Sequence, residues 1–145
     1  MNRDFAEMLS ALSEAGAEFL VVGAHALAAH GKARATGDLD IWVNPTPANA
    51  EKVMRALTVF GAPLHDLTIE DLTASETVFQ IGVVPCRIDI LSGISGVRFD
   101  NAWQRRLVLD IEGVTVPVLS REDFVANKLA SNRAKDRVDL ELLGE

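Results

Sequence analysis

Three aspartates stand inside short apolar runs, where an ionised side chain is costly unless a partner compensates for it. Asp38 and Asp40 flank one leucine in DLDIWV, and Asp89 lies in CRIDIL. Side chains alternate across a strand, so Asp38 and Asp40 share one face, with Cα atoms ~6.6 Å apart. Two negative charges at that range repel, and a divalent cation between them would turn repulsion into binding. Hard oxygen ligands of this kind suit Mg²⁺, which often takes one or two carboxylates plus substrate phosphates.

A turn upstream of the pair adds a second chemical feature. The predicted strand EFLVV ends at Gly23, and an alanine-rich helix begins at Ala24. Glycine lets a phosphate approach the backbone, and the first N–H groups of a helix, with its dipole, favour an anion. Asp89 would be the third acid of a site that holds two metals about 3.5–4 Å apart for in-line displacement at phosphorus. The alternative is that the acids only face solvent on half-buried or edge strands and that the turn is structural.

The remaining pattern predicts the elements that must position these residues. Helices are predicted over 3–15, 24–30, 47–60, 68–74 and 100–107, a helix or helix pair over 121–143, strands over 18–22, 38–43, 77–84 and 86–91, and a hairpin over 107–120. Helices and strands alternate early, whereas the late strands lie too close together for crossovers. The sequence therefore predicts an α/β (α+β) fold, with a mixed β-sheet of about five to six strands flanked by helices, in a single domain of residues 1–145.

Composition narrows the class of protein. The chain has 145 residues, 48% of them hydrophobic, which suffices for a core, and no apolar run approaches the length of ~20 residues that a membrane helix needs. The N-terminus lacks the pattern of a signal peptide, and the one cysteine, Cys86, is predicted to be a buried small hydrophobe in a cytoplasmic protein. A net charge of −7 argues against extensive contacts with a nucleic-acid backbone. Binding of a small nucleotide is compatible with this charge, because a metal can neutralise its phosphates.

Two motifs resemble those of a known group of proteins. Gly23-Ala24, the segment 30–41 with its HG..R.T pattern, and DLDI resemble the first motif of the nucleotidyltransferase fold, the DNA polymerase β-like superfamily. RAKDRVD at 133–139 resembles the R-x-K-D-x-x-D motif near the end of abortive-infection-type nucleotidyltransferase toxins. With Asp89, the resemblance spans roughly residues 18 to 140.

The resemblance implies metal-dependent transfer of a nucleoside monophosphate from an NTP, such as ATP, to an acceptor, with release of pyrophosphate. Asp38 and Asp40 would be Mg²⁺ ligands with Asp89 as the third acid, and Gly23 and Ala24 would offer backbone donors to the triphosphate. The acceptor would be RNA, a protein or a small molecule, and the toxin-like motif implies a toxin–antitoxin setting with an antitoxin-like partner. Many members carry serine where this chain has Ala24, so one phosphate contact is lost. Larger relatives also carry a second helical domain that helps to bind the acceptor, and none is evident here.

Two further groups of residues are candidates for contacts with the nucleotide. Arg34 and Thr36 precede the acids and could reach phosphates or orient Asp38, or they could be ordinary loop residues. In the C-terminal segment, one face of an unbroken helix would carry four polar residues and another face a core side. The polar set is Lys128, Asn132, Lys135 and Asp139, and the core set is Val125, Leu129, Val138 and Leu142. The motif favours Lys128 or Lys135 meeting phosphate or base, with Asp136 orienting such a lysine, whereas the alternative is a solvated, salt-bridged helix.

Two other functions remain compatible with the sequence. A catalytically inactive nucleotidyltransferase-fold protein could bind a nucleotide or a partner as a regulator, and Ala24 favours this interpretation. A phosphohydrolase could also use a D-x-D metal site. It is the less favoured of the two, because the glycine turn lies before the acids on a separate element, as it does in nucleotide transfer.

Overall fold

The computed structural model describes residues 2–31, 37–83, 86–111 and 113–145, which form a mixed sheet with helices around it. The helices are α1 (Arg3–Glu14), α2 (Gly23–Ala29), α3 (Pro47–Phe60), α4 (Ile69–Thr73), α5 (Phe99–Arg105), α6 (Arg121–Ser131) and α7 (Ala134–Leu143). The strands are β1 (Phe19–Val22), β2 (Leu39–Val43), β3 (Val78–Ile81), β4 (Ile88–Leu91), β5 (Leu107–Ile111) and β6 (Val114–Val118). Within the described ranges, no helix is both long and apolar enough to cross a bilayer.

The six strands form one sheet in the order β3-β4-β2-β1-β6-β5. β2 runs parallel to β4 and β1 runs parallel to β6, whereas the other three neighbouring pairs are antiparallel. The predicted α/β class and the mixed sheet are therefore confirmed. The central strands come from distant parts of the sequence, so residues far apart in the chain meet in the middle of the sheet.

Capping residues set the ends of the main helices. The Asn2 side chain accepts hydrogen bonds from two N–H groups of α1, and Thr46 accepts one from Asn49 N–H ahead of the proline that opens α3. Ser120 accepts a hydrogen bond from Asp123 N–H at the start of α6. These side chains pair N–H groups that have no partner inside a helix.

The core lies mainly between the sheet and α1 and α3. Leu39, Ile41 and Val43 of β2 are all buried, on the face opposite to Asp40. Trp42, on the Asp40 side, is 2% exposed and packs edge-on against Phe99. Strand alternation therefore separates an apolar face from a face that carries both aspartate and tryptophan.

The C-terminal segment forms a helix pair, one of the two forms that the sequence predicted. α6 ends at Ser131, Asn132 follows with a φ of 48°, and α7 starts at Ala134, so the polar face of an unbroken helix does not exist. In the predicted core set, Val125 packs against the core, but Leu129, Val138 and Leu142 are 63%, 50% and 39% exposed. The prediction was wrong for these three residues because the buried Asp136 and Asp139 pair with Lys128 on the inner side, which leaves the outer face to aliphatic residues.

Cys86 is exposed rather than buried. It lies before β4 and outside the strand ladder, and its Sγ accepts a hydrogen bond of 3.2 Å from Asn2 Nδ2. The alternating pattern that buries Ile88 and Ile90 does not extend to this residue, because the chain is bent there and is not yet paired in the sheet.

Candidate metal and nucleotide site

The three aspartates line one cleft of about 400 Å³. Asp40 and Asp89 lie opposite each other on the parallel strands β2 and β4, and Asp38 precedes β2 by one residue. The structure thus brings together the carboxylates that the sequence places 49 residues apart, from 40 to 89. Their convergence follows from strand register, because residues paired across parallel strands project their side chains to the same face.

Repulsion within this cluster is visible at Asp40. Burial, followed by the charges of Asp89 and Asp38, raises the pKa of Asp40 to about 6. The nearby charge of Lys135 offsets part of this rise. Burial and the neighbouring acids together disfavour a charged Asp40, and a cation beside it would favour the ionised carboxylate.

Arg87 supplies a cation from within the chain. Its Nη2 donates a hydrogen bond of 2.8 Å to Asp38 Oδ2, and its Nε donates one of 2.9 Å to Asp89 Oδ1. The bridge from Arg87 to Asp38 was not predicted. The R-x-D spacing was the available signal, since alternate residues of a strand lie on the same side.

The donor set fits a hard divalent cation, although Arg87 occupies part of it. Oxygen ligands from carboxylates suit Mg²⁺, and the guanidinium that bridges Asp38 and Asp89 shows that this position accepts positive charge. In the described part of the chain, no three His, Cys, Asp or Glu side chains are gathered closely enough to hold a metal ion. Binding of a metal to all three acids would therefore require their carboxylates to draw closer together and the Arg87 side chain to leave Asp38 and Asp89.

The glycine turn packs directly against the acids. Gly23 has a φ of 66°, and a Cβ atom added to it would collide with the Asp40 carboxylate. Ala24 is buried, and both residues line the cleft. The backbone at the start of α2 therefore lies beside the carboxylates, as the sequence predicted. Arg34 and Thr36 lie outside the described residues.

Basic side chains of the C-terminal helices face the acids. Lys128, Arg133 and Lys135 all line the cleft. Lys128 is 5% exposed, and its Nζ lies 3.2 Å from Asp136 Oδ1 and 3.5 Å from Asp139 Oδ2. Buried acids of the helix pair thus hold Lys128 in place, whereas Lys135 is exposed at the cleft.

Asp136 is held as a carboxylate by its neighbours. Burial alone would raise its pKa, but hydrogen bonds from the Arg133 side chain and backbone, from Ser131 and from Lys128 outweigh burial and hold the pKa of Asp136 well below its ordinary value. Arg133 contributes through Nε at 2.8 Å and Nη2 at 3.1 Å. The Asp136 carboxylate accepts a hydrogen bond of 3.2 Å from Lys128 Nζ, and its role of orienting a nucleotide-binding lysine stays a prediction.

The two histidines near the glycine turn differ in their surroundings. His30 Nε2 lies 2.9 Å from the carbonyl oxygen of Leu119, a contact that ties the end of α2 to β6. His25 packs edge-on against Phe5, and burial lowers its pKa even though the charge of Asp38 opposes the shift. Both rings are therefore engaged with the fold rather than displayed at the cleft.

The cleft continues into an adjoining cavity of about 470 Å³. The two share Gly23, Asp40 and Lys128, and the continuation adds the loop after β4 and one side of α6. Asn127 Nδ2 donates a hydrogen bond of 2.9 Å to the carbonyl oxygen of Ser95, which fastens this loop to α6. No role was predicted for these residues, since nothing in SGISG or in Asn127 resembles a binding motif.

The fold and the site define a class of protein. A mixed sheet that presents three aspartates from two neighbouring strands, beside a glycine turn and a helix start, is that of the nucleotidyltransferase fold. Residues 3–143 match the family described as "Nucleotidyltransferase of unknown function (DUF6036)", and the chain belongs to this family. The predicted resemblance to the nucleotidyltransferase fold is therefore confirmed.

One solved structure supports the fold assignment. It comes from Thermotoga maritima, is described as a "putative nucleotidyltransferase", and superposes with a TM-score of 0.64 over 96% of this chain and 89% of that chain. At 16% sequence identity, the similarity shows a shared fold. No curated protein matches this chain.

Proposed function

We propose that this protein is a metal-dependent nucleotidyltransferase that moves a nucleoside monophosphate from an NTP to a hydroxyl group of an acceptor. One observation carries the proposal, namely the pairing of Asp40 with Asp89 across β2 and β4, with Asp38 beside them. Lys128 and Lys135 stand in the same cleft, where triphosphate charge needs compensation.

The residues have separable roles in this proposal. Asp38, Asp40 and Asp89 would hold Mg²⁺, after the Arg87 guanidinium leaves Asp38 and Asp89. Bound Mg²⁺ would stabilise charge on the phosphates and lower the pKa of the acceptor hydroxyl. The N–H groups of Gly23 and Ala24 would donate to the triphosphate, without the hydroxyl contact that a serine would add at position 24.

In the proposed transfer step, each bond that forms is matched by a bond that breaks. A bond forms between the acceptor oxygen and the α-phosphorus, and the bond from the α-phosphorus to the bridging oxygen breaks. Pyrophosphate leaves with that electron pair, and Asp89 accepts the proton of the acceptor hydroxyl. Lys128 and Lys135 offset charge on the triphosphate and the departing pyrophosphate, because both line the cleft that holds the acids.

The second candidate function is a regulator that binds a nucleotide or a partner protein without catalysis. The bridge from Arg87 to Asp38 and Asp89 favours it, because a guanidinium already neutralises two of the acids. Ala24 favours it as well. A toxin–antitoxin setting rests on the RAKDRVD motif alone, and growth arrest on expression, relieved by the neighbouring gene, would test that setting.

The central experiment measures NTP binding and transfer separately. Calorimetry with each of the four NTPs is expected to show binding that requires Mg²⁺ and is lost in Asp40→Asn. The matched control is Asp66→Asn, at an exposed aspartate outside the residues that line the cleft. Labelled NTPs are then incubated with RNA, protein and small-molecule acceptors.

Each outcome of this experiment has a defined meaning. If all four NTPs fail to bind with Mg²⁺ present, the proposal is wrong. Binding without transfer to any acceptor supports the regulator, and release of phosphate without incorporation of the nucleotide supports a phosphohydrolase. Retained binding in Asp40→Asn would remove Asp40 from the metal site.

A further inference from the structure

A third cavity, of about 470 Å³, lies on the same face of the sheet as the catalytic acids. We call it the Trp42 compartment, after the side chain that lines it together with Thr46, Ser75 and Phe99. It shares Gly93 and Ile94 with the cavity that contains Asp40. The compartment is therefore the next space along the cleft, and its volume lies in the range of small-molecule sites.

The spacing of β2 sets how far the compartment lies from the acids. Trp42 follows Asp40 by two residues on the same strand face, which corresponds to ~6.6 Å between Cα atoms. A molecule about 7 Å long can therefore place one end beside Trp42 and a hydroxyl group near Asp40. This is the length of a single ring with one substituent at each end.

The Trp42 side chain provides an independent sign of a missing partner. Its Nε1–H group is buried, and it has no hydrogen-bond partner among the residues that the structure describes. Buried donors in proteins are nearly always paired, because an unpaired one has lost its hydrogen bonds to water without replacement. A small rotation of the indole ring would bring this N–H group to the compartment, where a carbonyl or ring nitrogen of a bound molecule would accept its hydrogen bond.

The charges at the compartment indicate a neutral molecule. Arg98 is the one cationic side chain among the described lining residues, and its Nη2 lies 3.3 Å from Asp100 Oδ2. Pro45, Val97 and Phe99 contribute apolar surface. A polynucleotide would bring phosphates to a wall without a free cation on a chain of net charge −7, which disfavours RNA at this place.

We propose that the Trp42 compartment binds the acceptor of the transfer reaction, and that this acceptor is a small, uncharged molecule. Its carbonyl or ring nitrogen accepts a hydrogen bond from Trp42 Nε1–H, and its hydroxyl group reaches Asp40 and Asp89. The inference rests on the proposed nucleotidyl transfer, in which that hydroxyl oxygen bonds to the α-phosphorus, its proton passes to Asp89 and pyrophosphate leaves.

Nuclear magnetic resonance of the two indole N–H groups tests this inference on the whole chain. Trp42→Phe assigns the Trp42 signal, and Trp103 serves as an internal reference in the same aromatic group. The probes are 4-(hydroxymethyl)benzamide, 4-methylbenzyl alcohol, which lacks the carbonyl, and a single-stranded oligoribonucleotide. The amide is expected to shift the Trp42 signal and to bind about tenfold more tightly than the alcohol. An unshifted Trp42 signal with the amide, or a shift with the oligoribonucleotide, would overturn the proposal.

A pair of matched variants separates the compartment from the metal site. Val97→Phe narrows the compartment from its wall, and Val59→Phe makes the same change at a side chain 76% exposed on α3. Val97→Phe is expected to weaken amide binding at least tenfold and to leave Mg²⁺–ATP binding unchanged, whereas Val59→Phe changes neither. Equal amide affinity in both variants contradicts the inference, whereas absence of Mg²⁺–ATP binding in the wild type contradicts the proposed function instead.

Discussion

Gly23 and Asp40 are in close contact, so a side chain added at position 23 has no room beside the Asp40 carboxylate. The φ of 66° at Gly23 favours glycine, and the Asp40 carboxylate fills the position where a Cβ atom would be. This close approach places the backbone of the proposed phosphate-binding turn next to a metal ligand of the proposed site. A substitution at Gly23 therefore has two costs, the strain of a positive φ and the collision with Asp40. The first can be measured alone at a glycine where only the strain applies.

Gly23→Ala is expected to destabilise the fold more than Gly31→Ala does. Gly31 also has a positive φ, of 85°, but no described atom lies within 4 Å of its added Cβ atom, so only backbone strain applies there. We expect a cost of about 1 kcal/mol at Gly31 and at least about 2 kcal/mol at Gly23, with loss of NTP binding at Gly23 alone. Urea denaturation measures the first effect, and equal costs at the two positions would contradict the collision.

Asp40 makes the metal-free protein sensitive to pH. Because the folded pKa is raised to about 6, the folded state binds a proton more tightly than the unfolded state. The resulting stabilisation is complete below about pH 4, is lost as pH rises through about 6, and amounts to up to roughly 3 kcal/mol. Urea denaturation without divalent ions should show the wild type losing stability relative to Asp40→Asn over this range. A difference that does not vary with pH would exclude the raised pKa.

At the scale of elements, the pairing of α6 with α7 depends on charges inside it. Lys128 is 5% exposed, and its partners Asp136 and Asp139 are fully buried. Removal of one partner from a buried ion pair leaves a buried charge without compensation. The helix pair therefore holds Lys128 in place at the cleft, and its stability in turn depends on Lys128.

Asp136→Asn is expected to lower the free energy of unfolding by about 3 kcal/mol, or the melting temperature by about 10 °C, at neutral pH. The matched control is Asp100→Asn, since Asp100 pairs with Arg98 at the surface, where such pairs contribute little. The pKa of Asp136 is lowered, so its contribution is present above about pH 4 and is lost as pH falls below that value. Equal effects of the two variants at neutral pH would show that the buried pair contributes nothing.

The sequence was sufficient to predict the elements and three of the site's components. Strand alternation identified the face of Asp40, and the glycine turn and RAKDRVD were read from local pattern. The sequence was insufficient where charge pairs between distant residues decide which side chains are buried. Val138 is exposed because Lys128 lets Asp136 turn inward, and Arg87 bridges Asp38 across two strands. Periodicity contains no information on such partners, which meet only in the folded chain.

At the scale of the whole molecule, the site draws on segments from both ends of the chain. Gly23 and Asp40 come from the first third, Asp89 from the middle, and Lys128 and Lys135 from the last fifth. A nucleotide that contacts all of them would join β1, β2, β4 and the C-terminal helices. Ligand binding should therefore stabilise the fold as a unit rather than one element.

Mg²⁺ and an NTP together are expected to raise the melting temperature, and either alone should raise it much less. At a free ligand concentration of 100 times Kd, the stabilisation is about 2.7 kcal/mol, which corresponds to roughly 5–10 °C for a domain of this size. Addition of a chelator should reverse the shift because the acids then lose the cation. Differential scanning calorimetry measures this, and an equal shift by NTP without metal would contradict a metal-dependent site.

The three hydrogen bonds from Arg87 to Asp38 and Asp89 have a consequence for how the proposed site would acquire its ion. Loading would be an exchange of cations, in which the guanidinium leaves as the ion arrives. A monovalent ion would gain no charge over the guanidinium it displaces and would lose those hydrogen bonds. Sodium and potassium would therefore compete poorly, because only an ion of higher charge density would displace Arg87.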